Sequence, residues 1–522
     1  MTSACGGFKR DGEARSALRR LLGSLVLSFL ALSSASAQET SAGFHLFSSS
    51  REPRWLSAER SSESFSLGLE RLPRNRPPGE IVLPSPLAMA GSVTAAPAAG
   101  KKRFWAAAGE GRVFDILTFT YNRFIRKADF AYVSPATWRA SFRDHWVYDA
   151  DSFSTTQILH PFHGDLYFNA ARVNGYNFWE SAPFALGGSL FWMYFAEIGP
   201  VNYSDLVSTT LGGIVLGESF FRASRMILDN SSTGGERFLR ELVAGIVNPS
   251  SLVDRLLRGQ TRRQAANPDD RFPSSFALTV DLGGRRIGSG SGISHRNQGT
   301  LTIGLRYGDP FEGGAQRPFD NFETAIELQQ PKASVVSHVE SRGSLALSDV
   351  GPSNAPQSRF GLFMGWSYLD DEIQQYSGPD LSGRFLSRLP LGGWAEVRSE
   401  VALGIVPLAA LRTDYAAENL ALTGRVYDFG PAGDVDVRVR LRRRDLDLLT
   451  LSYRAIWMLT TNGVSRHNSV QFASAEARVP IGGGFAAGAA LAWDQRTSTF
   501  DLYPGTRSWH TQWRVFAALA GR

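Results

Sequence analysis

Residues 435–442 read Val-Asp-Val-Arg-Val-Arg-Leu-Arg, and this stretch decides the fold class. Apolar and charged side chains alternate through it without a break. Successive side chains of a β-strand point to opposite faces of the sheet, so one face of this strand is apolar and the other is fully charged. A soluble sheet also alternates, but a row of arginines fits more naturally along the wall of a water-filled lumen.

The same period recurs through the C-terminal half of the chain. Apolar residues alternate with polar or small ones in about twelve segments of about ten residues, separated by turn-forming residues. Clear examples cover 276–282, 301–307, 360–368, 395–401, 449–457 and 509–519. An outer-membrane barrel needs such segments, because hydrocarbon tolerates no unpaired backbone groups. The pattern predicts an antiparallel β-barrel of about twelve strands over residues 271–522, with a soluble β-sandwich as the alternative.

The N-terminus carries the marks of an export signal. Basic residues precede an apolar stretch from Leu21 to Leu32, and Ala35-Ser36-Ala37 offers a cleavage site of small residues. We therefore expect residues 1–37 to be a cleaved signal peptide. Residues 38–100 are rich in serine, proline and alanine and are expected to form a disordered tether. Signal and barrel together predict a Gram-negative cell envelope and an outer-membrane location.

Composition excludes several classes of protein. The sole cysteine, Cys5, lies in the signal, so the mature chain is expected to have no disulfides, thiol catalysis or cysteine-metal sites. Part of the formal net charge of +6 belongs to the signal, and no nucleic-acid-binding motif appears. The expected partners are outer-membrane lipid and a small anionic or lipidic ligand, with no nucleic acid.

Residues 101–265 have helical rather than strand periodicity. Phe104 to Arg126 places apolar residues at helical spacing, and Ser134-Pro135 offers an N-cap followed by proline. Gly213 and Gly217 are spaced for close approach of two helices. The predicted fold class is α+β: an N-terminal helical bundle followed by the barrel. The bundle is expected to lie on the periplasmic side or to form a plug in the lumen.

The helical region also holds the densest group of unusual polar residues. The candidates for a polar or ligand-binding site are His160, His163, Arg172, Asn174, Glu180, Ser181, Glu197, Asp205 and Glu218. The two histidines share a face if helical, and Asp149, Asp151 or Glu197 could complete a metal site. A hydrolase could instead pair a histidine base with a serine. The pattern favours a purely structural network, with Asp205 as a helix cap, and it assigns no metal or cofactor.

Several motifs of this region resemble a bacterial family. They are His-Pro-Phe-His-Gly at 160–164, Ala-Ala-Arg-Val-Asn-Gly-Tyr at 170–176, Trp-Glu-Ser at 179–181, Ser-Asp-Leu at 204–206 and Gly-Glu at 217–218. Over roughly residues 105–230 the chain resembles the family known as domain of unknown function 3943. The resemblance implies a cell-envelope location and no particular activity.

The sequence favours a non-enzymatic structural or ligand- and lipid-handling role in the outer membrane. One alternative is an envelope lipid- or glycan-modifying hydrolase with its site in the helical domain. Another is a soluble periplasmic binding protein. Whether the protein is an enzyme stays open at this point.

Overall fold

The computed structural model describes residues 101–289, 295–312, 317–330, 334–351, 357–371 and 373–521. The predicted signal peptide and tether, residues 1–37 and 38–100, lie outside the described residues. In the described part, eight α-helices precede a closed sheet of twelve strands. This order confirms the predicted helical bundle followed by an antiparallel barrel.

The helices form two groups, a bundle and a pair that leads into the barrel. The bundle comprises α1 (Phe104–Thr120), α2 (Pro135–Ser141), α3 (His160–Val173), α4 (Phe178–Phe195), α5 (Tyr203–Val207) and α6 (Gly213–Ile227). The pair is α7 (Gly234–Val247) and α8 (Pro249–Leu257), and a ninth helix, α9 (Ala416–Thr423), lies within the barrel domain. Short π-helical stretches extend α1, precede α3 and join α5 to α6, at Tyr121–Arg126, Thr155–Leu159 and Ser208–Gly212.

Side-chain caps fix where two bundle helices begin. Ser134 accepts a hydrogen bond from the Thr137 amide while the Thr137 hydroxyl accepts one from the Ser134 amide, which confirms the predicted N-cap of α2. Asn177 and Glu180 form the same reciprocal arrangement at the start of α4. Such boxes satisfy amides that a helix leaves without intrahelical partners.

The barrel strands pair in sequence order and the last closes on the first. They are β1 (Phe276–Ser289), β2 (His295–Tyr307), β3 (Phe322–Gln330), β4 (Val336–Val350), β5 (Gln357–Asp370), β6 (Gln375–Leu391), β7 (Ala395–Arg412), β8 (Tyr427–Arg443), β9 (Leu446–Leu459), β10 (Ser465–Gly482), β11 (Phe485–Phe500) and β12 (Thr506–Gly521). Leu278 of β1 lies opposite Gly521 of β12, so both chain ends of the barrel lie at one rim. We call this rim the terminal end and the opposite rim the loop end.

The charged face of the alternating strands lines the lumen. Arg440 of β8 donates two hydrogen bonds of 2.7 Å to Glu323 of β3, which lies on the far side of the barrel. Arg342 of β4 likewise reaches Asp436 of β8 at 2.9 Å. Ion pairs between strands that are not neighbours can form only across the interior. The lumen is therefore crossed by side chains, as expected for a barrel of this size.

The helical bundle packs against the outside of the barrel. On β4, Ser341 lies between Glu340 and Arg342, both of which face the lumen, so its side chain points outward. Its hydroxyl lies 2.9 Å from that of Ser219 on α6. The predicted plug is therefore wrong for the described residues, because the lumen is filled by its own charged side chains while the outward face of β3–β5 is apolar enough to bury a helix.

Contacts with the bundle extend from one rim of the barrel to the other. At the terminal end, Arg222 of α6 donates to the Pro318 carbonyl at 2.7 Å. At the loop end, the hydroxyl of Tyr148 lies 3.1 Å from that of Thr461 between β9 and β10. Between them, buried Trp366 of β5 contacts the π-helical turn at Gly212. A single apolar core unites bundle and wall, including Phe168, Val215, Phe319, Val339, Trp366 and Phe429.

Two helices approach so closely that only glycine fits between them. A Cβ on Gly164 of α3 would overlap the carbonyl of Thr209, and one on Gly213 of α6 would lie 2.5 Å from the backbone of Gly164. Gly217 faces the Phe168 ring at a similarly short distance. The predicted close approach at Gly213 and Gly217 is therefore present, and it brings the polar residues of α3 against those of α5 and α6.

Candidate functional site

Three ligand-type side chains converge at the loop end of the bundle. Asp149 lies in the extended segment before α3, His160 is the first residue of α3, and Asp205 lies in α5. The His160 Nδ1 atom is 2.9 Å from Asp205 Oδ1, and one ligand atom from each of the three residues lies within 4.8 Å of the others. We call this group the Asp–His–Asp cluster. Two of the π-helical stretches flank it, and such local bulges are frequent at functional sites.

Neighbouring polar groups orient both carboxylates of the cluster. Asp149 Oδ2 accepts a hydrogen bond of 2.8 Å from the Thr156 hydroxyl, and the Asp149 amide donates to Ser204 Oγ at 3.1 Å. Asp205 Oδ2 accepts a bond of 3.0 Å from the Asn202 side chain. Each carboxylate thus has one oxygen held in place and directs the other, Oδ1, into the cluster.

The inward-directed atoms have no hydrogen-bond partner among the described residues. This holds for Oδ1 of Asp149, Oδ1 of Asp205 and Nδ1 of His160, although Nδ1 and the Asp205 oxygen are close. Asp149 and Asp205 are both more than nine-tenths buried. Burial, and then the neighbouring Asp205 carboxylate, raise the pKa of Asp149 well above its usual range. Burial and the neighbouring carboxylate therefore favour the neutral, protonated form of Asp149.

His163 belongs to a different group of side chains. Its Nε2 lies 3.2 Å from Asp115 Oδ1 and 3.1 Å from the hydroxyl of Tyr167, which itself donates to Asp115. Arg112 forms an ion pair with the same carboxylate. The expected site with both histidines is therefore not formed, because each ring is directed to a different carboxylate.

Glu197 accepts a hydrogen bond from an indole and is not one of the three clustered residues. The Trp192 Nε1–H donates to Glu197 Oε2 at 3.0 Å, and the Trp192 ring packs edge-on against His163. Burial raises the pKa of Glu197 to about 7. This carboxyl group lies in the turn after α4, near the loop end, and does not contribute a ligand to the Asp–His–Asp cluster.

The remaining candidates tie the bundle together. Glu218, which is fully buried, accepts hydrogen bonds from Arg172 at 2.7 and 3.0 Å and from Arg222 at 2.8 Å. Asn174 donates to the Ala170 carbonyl and to Glu110. These bonds satisfy buried groups and connect helices, which is the structural network that the sequence left open.

Glu180 and Ser181 act at the start of α4. Glu180 completes the capping box and forms an ion pair of 2.6 Å with Lys102. The Ser181 hydroxyl donates to the carbonyl of Asn177. Across the described helical region, residues 101–265, no serine is hydrogen-bonded to a histidine, so the serine–histidine arrangement of a hydrolase is not formed there.

Sequence reasoning missed the partners of His163. Asp115 and Tyr167 are buried, and Asp115 lies on α1, more than forty positions before the histidine. The spacing of Asp115 one helical turn from Arg112 was the available signal. Nothing in the local pattern indicates that α1 packs beside α3.

Two arginines of the alternating β8 stretch are paired with carboxylates of other strands. Arg438 contacts Glu323 and Glu340 at 3.4 and 3.3 Å, and Arg440 contacts Glu323 at 2.7 Å. The third, Arg442, donates to the Arg444 carbonyl at 2.8 Å. A lumen cavity of about 350 Å³ is bordered by both signs of charge, among them Arg285, Glu327, Glu340 and Arg454. Arg438 and Arg440 thus belong to a paired network and are not a free anion-binding surface.

Comparisons with known proteins agree with the two-part organisation. Residues 145–250, about a fifth of the chain, match a family described as "Domain of unknown function (DUF3943)", which confirms the resemblance seen in the sequence. No curated protein matches. No helix in the described part of the chain is both long and apolar enough to cross a membrane.

Solved barrels resemble the C-terminal half. A KdgM porin is 10% identical and aligns with 47% of this chain and 99% of its own, with a TM-score of 0.21. A NanC porin is 7% identical over 46% and 98%, with a TM-score of 0.23. The toluene transporter TodX of Pseudomonas putida is 9% identical over 47% and 88%, with a TM-score of 0.20. Because these TM-scores are low, the description of the chain as a closed twelve-strand barrel is based on its own strand pairing. Residues 145–250 of this chain are thus similar to the DUF3943 family, and they are joined to a barrel of outer-membrane type.

Proposed function

We propose that this protein spans the outer membrane with its twelve strands and holds the helical bundle in lipid, against the outside of its own barrel. There the bundle has a structural or lipid-handling role that needs no catalysis. The observation that carries the proposal is that the bundle covers one side of the outward barrel face and itself exposes apolar side chains.

The exposed surfaces of α1 and α4 have the character of lipid-facing surfaces. All residues of these two helices are described. On α1, Glu110 and Asp115 are buried and Arg112 is half-buried. On α4, the Glu180 side chain is 35% exposed and is paired with Lys102. The exposed side chains include Trp105, Ile116, Trp179, Leu186 and Phe191. Monomeric soluble proteins rarely expose continuous apolar patches of this kind, whereas an outer surface in lipid requires them.

The polar groups of the bundle are kept inside it. His163, Asp115 and Glu218 lie between helices and are paired there. This inverted arrangement recurs in α7, where Arg237 and Glu241 are buried while Phe238, Leu239, Val243 and Ile246 are exposed. A helix with such an exposed apolar face suits the interface between water and lipid.

The rest of the outward barrel face supports the same location. Side chains there are large, apolar and exposed, as at Leu282, Leu403, Trp513 and Val515. The expected export signal would deliver the chain to this compartment. In the proposed orientation the terminal end, where both ends of the barrel domain lie, faces the periplasm, and the loop end faces outward.

The lumen network argues against a role as a wide pore. Arg342, Arg384, Glu400 and Asp436 form contacts of 2.5 to 3.8 Å with one another inside the lumen. Breaking such buried pairs is costly, since each charge would be left without its partner. We therefore place the function in the bundle and its contact with lipid, and expect small or no ion conductance in planar bilayers.

Site-directed spin labelling tests the location of the bundle. Cys5 is the sole cysteine, so single cysteines can be introduced into a Cys5→Ser background at Ile116 and Leu186 of the bundle. Leu282→Cys on the barrel wall is the lipid-facing control, and Ser231→Cys, exposed before α7, is the water-facing control. We expect nitroxides at Ile116 and Leu186 to collide with oxygen as often as the one at Leu282, and to be shielded from a water-soluble nickel complex.

The opposite accessibility would overturn the proposal. If the labels at Ile116 and Leu186 behave like the one at Ser231, the bundle lies in water. Heat-dependent mobility of the unboiled protein on a denaturing gel checks separately that the barrel is closed in every variant. Release of the protein from membranes without detergent would contradict the outer-membrane location itself.

A further inference from the structure

We propose that the Asp–His–Asp cluster binds one divalent cation of the zinc or manganese class, with Asp149, His160 and Asp205 as its protein ligands. This inference goes beyond the proposed function and does not depend on it, because the binding can be measured in detergent wherever the bundle lies. The donors are two carboxylate oxygens and one imidazole nitrogen.

The geometry of the donors supports a shared cation. One ligand atom of each residue lies within 4.8 Å of the other two. Around a zinc ion with bonds of about 2.0–2.2 Å, tetrahedral ligands lie about 3.4 Å apart, so a small contraction of the cluster completes the site. The His160 Nδ1 and Asp205 Oδ1 atoms are already 2.9 Å apart without hydrogen-bond geometry, as two neighbouring ligand atoms would be.

The partners of the cluster argue for a bound cation over a simple ion pair. His160 Nδ1 approaches only the Asp205 carboxylate, and Asp149 Oδ1 accepts no hydrogen bond from a donor among the described residues. The nearby cation, Arg425, donates to the backbone carbonyl of Asp149 and to Asn462 instead of the carboxylate. Buried carboxylates are normally paired or bound to metal, so this second oxygen is the independent sign of a missing ligand.

Surrounding hydrogen bonds have the pattern of a metal site. Thr156, Asn202 and Ser204 bind the atoms of the two aspartates that face away from the centre. Such outer contacts set the orientation of ligating carboxylates in metalloproteins. Through Arg425, the site is also joined to the segment between β7 and β8, so a bound ion would connect the bundle to the loop end of the barrel.

The donor set restricts the kind of ion. Imidazole with carboxylates suits zinc and manganese, whereas calcium and magnesium favour oxygen donors alone. With no cysteine outside Cys5, ions that require thiolates are excluded. Three protein ligands leave a coordination position for water, which is the arrangement of open zinc sites.

Metal titration of the purified full chain tests this inference. The protein is prepared in detergent without a histidine tag and stripped with a chelator, then titrated with Co²⁺, whose visible absorption reports coordination, and with Zn²⁺ and Mn²⁺ in competition. We expect one ion per chain, and no competition from Ca²⁺ or Mg²⁺. Asp149→Asn and Asp205→Asn should each weaken Co²⁺ binding by about 100-fold or more, since even outer-shell changes cost about 10- to 100-fold.

A matched variant separates metal binding from general damage. Asp115→Asn removes the carboxylate beside the other histidine of α3, His163, and should leave both stoichiometry and affinity unchanged. The heat-dependent gel shift confirms that each variant retains its barrel. Absence of stoichiometric binding by the wild type, or unchanged affinity in the Asp149→Asn and Asp205→Asn variants, would overturn the assignment.

Discussion

Two sides of the same barrel share a sequence pattern and differ in what covers them. Outward residues of β9 and β12, such as Leu451, Tyr453, Trp513 and Val515, are exposed. Outward residues of β4 and β5, among them Ser341 and Trp366, are completely buried beneath α6 and its π-helical turn. We call the first the bare wall and the second the covered wall. In both walls, outward residues alternate with lumen residues along each strand. The alternation therefore identifies the outward face but does not show whether protein or lipid covers it.

The difference lies in the kind of residue that each wall accepts. The covered wall accepts hydroxyl groups because they are hydrogen-bonded. Ser341 and Thr324 bond each other at 2.8 Å, and the Ser341 hydroxyl also lies within hydrogen-bond distance of that of Ser219. The bare wall has large apolar side chains, which are stable in lipid without partners. At Ser341 the outward-facing hydroxyl therefore coincides with cover by the bundle.

The largest effect is expected where the covered wall contacts the bundle. Trp366→Ala removes a fully buried ring beneath the π-helical turn and should lower the free energy of unfolding by about 3–5 kcal/mol. Trp513→Ala on the bare wall, where the ring is 62% exposed, is the matched control and should cost far less. Apparent unfolding temperatures in detergent provide the measurement. Equal losses in the two variants would contradict the distinction between the walls.

A second prediction tests the close approach of helices inside the bundle. Gly213→Val places side-chain atoms against the backbone of Gly164 and should destabilise the bundle by about 3 kcal/mol, since neither backbone can yield. Limited proteolysis should then cleave residues 101–265 while the barrel remains protected. Gly187→Val on α4 is the control, because no atom lies within 4 Å of its added Cβ. Equal protease resistance of both variants would refute the close packing.

A third prediction concerns the pH dependence of the bundle. The pKa of Glu197 is raised to about 7 from an ordinary value of 4.5, so the folded protein holds a proton that the unfolded chain has lost. Stability should therefore fall as pH rises from about 4.5 to 7, by about 2 kcal/mol. Glu197→Gln should flatten this slope in unfolding measurements at pH 5, 6 and 7. If the pH dependence of stability is unchanged in the Glu197→Gln variant, another titrating group causes it.

The smallest effect is expected for a single hydroxyl. Ser341→Ala removes its contacts with Ser219 and Thr324 in a dry interface and should cost about 1 kcal/mol. Ser474→Ala removes a comparable contact with Ser452, but on the lumen side, where water can replace it. Chemical unfolding of both variants under identical conditions gives the comparison. A larger loss for Ser474→Ala would mean that the covered wall is not dry.

Local sequence signals predicted much of the fold and part of the site. The N-cap at Ser134 followed by Pro135, the glycines of α6 and the strand at 435–442 each have a pattern that acts over a few residues. For the Asp–His–Asp cluster, the sequence indicated the candidate residues but not that these three meet. Asp149 and Asp205 are separated by more than fifty residues, and their meeting depends on where α5 packs against the start of α3.

The sequence by itself determined the alternation of the strands, their number and the helical character of residues 101–265, because each depends on the period of neighbouring side chains. Only the tertiary structure decided that the bundle lies outside the barrel, that His160 and His163 join different carboxylates, and that Arg438 and Arg440 pair with carboxylates of distant strands. These are pairings between residues distant in the chain. Close packing and the pairing of buried charge fix them, and neither leaves a periodic trace in the sequence.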